Sequence, residues 1–306
     1  NETHRVIFQG NLLNNGTVRF TNQNRPKYDA FTNTGAATVF FQGNKNAQIS
    51  CYGTTDFYNL VVDKGVDQTF KLNVYSSDYS YFRLFGANTA ASANSASANP
   101  DIKKALWVRN GTLVLQGLTV IPSLSERTTS AGTSNSHFII PANGAIELAG
   151  SEVIVLSTAD HFSEVEKAYN LSGGSNAVYG INTGSGSYSG ISILGKLQVT
   201  NGYLSTRESA GLLYWSYASG QFILNSGTVD TKQFHNPERG TTGLVTFTQT
   251  GGQLILRGRF QNTINYPDVE SLTSPALNTA RAANGIDGTA GIGTMSICAN
   301  ASNGYI

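Results

Sequence analysis

The chain has 306 residues, 13 % of them charged, with 20 Lys and Arg against 19 Asp and Glu and a formal charge of +1. That balance argues against general nucleic-acid binding, which needs an excess of basic surface. A 40 % hydrophobic and 10 % aromatic content suffices for a substantial core and excludes a disordered chain, while 33 Gly suit strands and tight turns rather than exposed helices.

In chain order, the first strand-like phrases are NNGTVRF (14–20) and GAATVFFQG (35–43). The stretch 76–104 is too long for a corner and reads as an inserted loop, Ala/Ser/Asn-rich over 87–99. GTLVLQGLTVI follows from Gly111, a loop from 123–136, and GAIELAGSEVIVL from Gly144. Residues 157–176 read as an insertion with a short helix over HFSEVEKAY, capped by Ser157 or Thr158. GKLQVTNGYLST (195–206) and GQFILNSGTVDT (220–231) then share one template, Gly-x-apolar-x-apolar-x-x-Gly-x-apolar-x-Thr. HNPERGTT (235–242) reads as a protrusion, and GGQLILRGRF from Gly251 as a further copy. The pattern weakens over 261–306 and resumes at GTMSICA (293–299).

Apolar and polar residues alternate within each copy, the period of a half-buried strand. The opening glycines, at 16, 35, 111, 144, 195, 220 and 252, give a period of about 25 residues with insertions. The intervals 144–195 and 35–111 read as two and three periods. A propeller blade needs about 40–45 residues. The expected fold is therefore all-β: a parallel β-helix (β-solenoid) of about 25-residue rungs with inserted loops, in one domain over 1–306. A β-sandwich or a two-domain β protein is the alternative. Stacking puts Leu197 under Phe222 and Val199 under Leu224. Cys51 and Cys298 then lie many rungs apart, beyond the roughly 7 Å that a disulfide spans, so two free, buried thiols are expected. No apolar run reaches transmembrane length. The chain opens in mid-pattern at Asn1, as a segment of a longer protein would.

Residues 31–75 carry a more specific signal. Thr55, Phe57, Asn59, Leu60, Val62, Lys64 and Gly65 form the phrase T-x-F-x-N-L-x-V-x-K-G. It resembles repeat regions in the β-helical stalks of large secreted surface proteins of Bacteroidota, including gliding and adhesion proteins exported by the type IX secretion system. The resemblance implies export to the cell surface, the secretion machinery as a partner, and a structural or binding role. It would also imply a terminal secretion and anchoring domain, and it carries no catalytic residues across.

A β-helix also serves polysaccharide lyases, which pair a base with acidic residues holding Ca²⁺, and hydrolases, which need two carboxylates about 5–10 Å apart. One candidate patch follows from the repeat, which places Arg207 under Lys232 and Ser205 under Asp230, with His235, Glu238 and Arg239 following. Its bland reading is a solvated charged edge. A second is Asp160, His161, Glu164 and Glu166, equally readable as the polar side of a surface helix. No HExxH, Gly-x-Ser-x-Gly or phosphate loop occurs, and DGTAG (287–291) is too short for a calcium loop. Aromatics are dense in YSSDYSYF (75–82) and LLYWSYASGQF (212–222). Alternation sends Leu213, Trp215 and Tyr217 to one side and Leu212, Tyr214 and Ser216 to the other. Such rings fill cores or stack on sugars. Sequons at Asn15, Asn110, Asn170 and Asn300 read mostly as turn chemistry.

The expected function is that of an exported, cell-surface structural and adhesion protein displaying binding loops, with a surface polysaccharide or a protein as ligand. Tyr214, Trp215, Tyr217, Arg207 and Lys232 are the ligand-binding candidates. The alternatives are a lyase or glycoside hydrolase on the same scaffold, and a cargo or subunit of a secretion or surface assembly. No cofactor is expected, Ca²⁺ being required only by the lyase alternative.

Overall fold

A computed structural model describes residues 2–22, 35–85, 105–121, 138–156, 190–206, 212–215, 220–235 and 246–261. The chain opens with three strands, β1 (Glu2–Phe8), β2 (Leu12–Asn14) and β3 (Val18–Arg19). A second group follows: β4 (Gly35–Gly43), β5 (Ala47–Cys51) and β6 (Thr55–Phe57). The third is β7 (Asn59–Lys64), β8 (Lys71–Ser76) and β9 (Phe82–Leu84). β10 (Leu106–Gly117) serves two positions at once and is followed by β11 (Val120–Ile121). Then come β12 (Phe138–Ile140), β13 (Gly144–Leu148) and β14 (Ile154–Leu156), and β15 (Gly190–Ile193), β16 (Lys196–Val199) and β17 (Tyr203–Thr206). The last are β18 (Leu212–Trp215), β19 (Gln221–Leu224), the long β20 (Thr228–His235), β21 (Thr246–Gln249) and β22 (Gln253–Gln261).

Each strand pairs in parallel with its counterpart in the next group: β1 with β4, β2 with β5 and β3 with β6. The pairings gather the strands into sheets of eleven, eight and three, with no closed barrel and, among the described residues, no helix. One isolated antiparallel bridge joins Thr21 to Ala36.

The register carries the repeat. Gln221 pairs with Lys196 on one side and Thr246 on the other. Thr228 likewise pairs with Tyr203 and Gln253. Hydrogen-bonded pairs such as Thr206–Thr231 and Thr250–Asn225 are 25 residues apart. Leu197 lies against Phe222 and Val199 against Leu224, as the repeat requires.

Several intervals are corrected. Ala145 pairs directly with Lys196, so the 144–195 interval is one step containing an insertion, not two periods. Gly16 and Gly35 are not successive copies: Gly53 packs against Gly16, whereas Gly35 pairs with Glu2. GGQLILR does not repeat GQFILN, because Gln253 pairs with Thr228; Thr246–Gln249 occupy the next position after Gln221–Leu224. The cause is common: more than one corner of a group can carry a glycine followed by alternating apolar residues, as at Gly195 and Gly202, so the phrase alone does not say which corner is meant. The 76–104 insertion also begins later than expected. Asp78 closes a turn by accepting hydrogen bonds from Ser80 N and Oγ at 2.8 and 2.6 Å, and Phe82 and Leu84 of β9 enter the core. The short helix at 157–176, the loop at 123–136 and most of 235–242 and 261–306 lie outside the described residues.

Alternation fills one continuous core. Leu72, Leu113, Ile146, Leu197 and Phe222 form one inward column, and Ile49, Val74, Leu115, Leu148, Val199 and Leu224 another. Each fully buried side chain of this kind contributes about 1.5–3 kcal/mol. Aromatic rings extend the stacking: Phe8 lies on Phe41 with centroids 5.0 Å apart, and Phe20 on Phe57 at 5.3 Å. At one corner Gly202 and Gly227 hold φ of 98° and 77°, and a Cβ on Gly227 would collide with the Gly202 carbonyl oxygen. Two demands therefore select glycine there: left-handed backbone and close approach of successive layers.

Candidate functional site

Residues facing away from the core distinguish three sides. On the side of β3, β6 and β9, register aligns Arg19, Asp56 and Arg83. Asp56 is fully buried. Its Oδ2 accepts from Arg19 Nε at 2.7 Å and Arg83 Nη2 at 3.0 Å, and its Oδ1 from Arg83 Nε at 2.6 Å. Arg83 also lies over the Phe85 ring, 5.2 Å from its centroid. A carboxylate held by three guanidinium N–H groups is a clamp across three layers rather than a base poised for chemistry.

Farther along this side, Leu156, Ser205 and Asp230 are aligned. The predicted Ser205–Asp230 juxtaposition is present, but both residues are buried and Tyr203 OH donates to Asp230 Oδ2 at 3.3 Å. That pair is thus no solvated edge. Lys232 stands where the β20–β22 register shifts, between Thr231 and Gln233. Arg207, Tyr217, Glu238, Arg239 and the Asp160–Glu166 run lie outside the described residues. Tyr214 is registered with Ser192 and His235, and Trp215 with the core residue Ile193. The pairing of β18 with β20 brings Tyr214 and His235, taken from separate patches, to adjacent positions.

The side of β1, β4 and β7 is largely covered: Phe40 and Val61 face outward yet are fully buried, with Arg5 4.2 Å from the Phe40 ring centroid. At its edge Asp63 accepts from Asn110 Nδ2 at 2.7 Å and Gln42 Nε2 at 3.2 Å, with Arg109 Nη1 at 3.7 Å. Asn110 lies within β10 with its amide committed to Asp63, so that sequon is a corner linkage inside a strand. Behind this edge Lys64 is fully buried and donates from Nζ to the Gln42 carbonyl at 2.8 Å. Burial lowers its pKa below 10.5. Cys51 is buried without a disulfide, and burial pushes its thiol up to about 11 despite a hydrogen bond with Thr55. It is therefore no thiolate nucleophile near neutral pH; Cys298 lies outside the described residues.

The side of β5, β8, β10 and β13 is the most open, with Gln48 and Tyr52 exposed, although Val114 on it is buried. Gln48, Asn73, Val114, Glu147 and Gln198 form one outward column; Ser50, Tyr75 and Gln116 begin another that also holds Thr200 and Asn225. Lys71 Nζ and Glu147 Oε2 pair at 3.5 Å, and Glu147 Oε1 accepts from Thr200 at 3.1 Å. Tyr52 is 49 % exposed, its ring centroid 5.7 Å from that of Tyr75. Sequence reading noted the Tyr-rich 75–82 run but missed Tyr52, Gln48 and Gln116. Only register brings these residues together, because they come from three separate strands.

Among the described residues, no group of three or more His, Cys, Asp or Glu could hold a metal ion, and no helix is long and apolar enough to cross a membrane. Comparison with known proteins returned no match, whether to a family model, a curated protein or a solved structure.

Proposed function

We propose that the chain coils as a parallel β-solenoid of about 25-residue rungs, and that it acts at the cell surface as an exported structural and adhesion protein. The observation that carries the reading is the parallel register over a continuously filled core, with a 25-residue step from β5 to β8, β16 to β19, β19 to β21 and β17 to β20. Such a scaffold tolerates insertions at a corner without disturbing its ladders, and it offers long, stiff flanks for contact. The carboxylates best defined on the outer sides, Asp56, Asp63 and Glu147, are each engaged by cationic or amide donors, which favours binding over acid–base catalysis. Export and engagement with a secretion machinery rest on the resemblance of the 55–65 phrase.

The test is to locate the protein in its source cells by surface proteolysis and fractionation, and to image the purified chain by electron microscopy. An elongated particle on the outer surface supports the reading. A protein confined to the cell interior, or a spherical particle, overturns it.

A further inference from the structure

We propose that the open side between β5 and β10 is a binding site for a neutral polysaccharide, with Tyr75 as its stacking platform. This rests on the reading of the chain as a surface-binding protein and names where and what it binds.

Tyr75 lies across Gly117. A Cβ added to Gly117 would come within 2.9 Å of Tyr75 Cε2 and 3.0 Å of Cδ2, so a side chain there would push the ring away. One part of the ring is thus seated on backbone while the residue remains partly exposed. Tyr52, from the preceding group, adds a second ring tilted by 50°. A partly exposed tyrosine ring offers a π face, which suits the apolar C–H face of a pyranose.

Around this platform stand the amides of Gln48 and Asn73, in register with each other, and of Gln116, in register with Tyr75. All three are exposed or partly exposed, and their amides have no hydrogen-bond partner among the described residues. An amide both donates and accepts, as a sugar hydroxyl does. Charge sets the ligand class. The neighbouring Lys71 and Glu147 neutralise each other, and the five residues of the patch are uncharged. Among the described residues, the patch itself offers an acidic polysaccharide no cation, and the adjacent Lys71 is already paired with Glu147. The site also lacks a pair of carboxylates, so it would hold a chain without cleaving it.

The experiment is a depletion assay of the full chain against insoluble glucan, xylan, mannan and chitin, with alginate and polygalacturonate as acidic controls. The wild type should bind at least one neutral polymer. Tyr75→Ala and Asn73→Ala should each weaken that binding by about tenfold, while Tyr75→Phe retains it. Melting temperature is recorded for each variant. If Tyr75→Ala does not fold, Gln116→Glu and Gln48→Glu, both surface changes, should weaken binding in its place. Binding to acidic polymers alone, binding to none, or neutral binding that survives these substitutions overturns the site. Adhesion of the wild type to cells or protein-coated surfaces without neutral-polymer binding overturns the site but leaves the adhesion reading standing.

Discussion

Lys64 is a cation turned into the interior at the end of β7. Its stem packs beside Gly111, whose added Cβ would lie 2.7 Å from Lys64 Cβ, and its ammonium has the Gln42 carbonyl at 2.8 Å. Desolvation lowers its folded pKa below the unfolded value of 10.5. Between those two values the unfolded chain binds more protons than the folded one, so this group makes stability rise with pH. In urea unfolding of wild type and Lys64→Met across this window, the difference should shift toward the wild type as pH approaches 10.5. Cys51 works in the opposite sense, its folded pKa being raised from 9.0 to about 11, so its contribution is lost as pH climbs through that interval. Its thiol should resist alkylation in the native protein near pH 8 and react fully in denaturant, as read by peptide mass. Asp56 is the residue whose loss should hurt most. Asp56→Ala strands two guanidinium groups and should cost about 3–5 kcal/mol in chemical denaturation. Arg19→Ala removes a partner whose side chain is 36 % exposed, and should cost only about 1 kcal/mol or less. Neither Lys64 nor Asp56 stood out in the sequence as buried. Their burial depends on neighbours from other groups: Arg19 is 37 residues from Asp56 and Gln42 is 22 from Lys64.

At the scale of the strand, inward columns set the energetics. Phe222 is fully buried between Leu197 and Phe247 in register, so Phe222→Ala should destabilise by about 3–5 kcal/mol. Ile223, one residue on, lies in the outward column, and Ile223→Ala should cost far less. The comparison tests register directly, since a one-residue slip would invert the two results. Strand periodicity was readable from 195–231 because no insertion separates Gly195 from Gly220. It was misread at Gly16, Gly35 and Gly252, where the phrase is right and the corner is wrong.

For the whole molecule, the 25-residue register makes a quantitative demand. Deleting residues 201–225 joins Thr200 to Ser226, preserving the step by which Thr200 precedes Asn201 and Asn225 precedes Ser226. The shortened protein should keep a cooperative thermal transition by near-UV circular dichroism. A deletion of 201–222 breaks the register of every following ladder and should abolish it. Survival of both deletions would mean that the layers are not coupled through register. The three sides also differ in availability: Phe40 and Asp230, on two of them, are buried, whereas the third combines a buried Val114 with amides and tyrosines that are exposed or partly exposed.

By itself the sequence determined that the chain is built of β-strands, that these alternate between core and exterior, and that the copies at 195–206 and 220–231 align 25 residues apart. These follow from local chemistry: the two-residue period of a strand and the glycine needed at a tight corner. Tertiary structure decided which corner each glycine occupies, that Asp56, Lys64 and Asp230 are buried, and that Tyr52, Tyr75 and Gln116 share one open side. The reason is that stacking joins residues many positions apart. Insertions of unequal length hide those partnerships from any fixed interval in the chain.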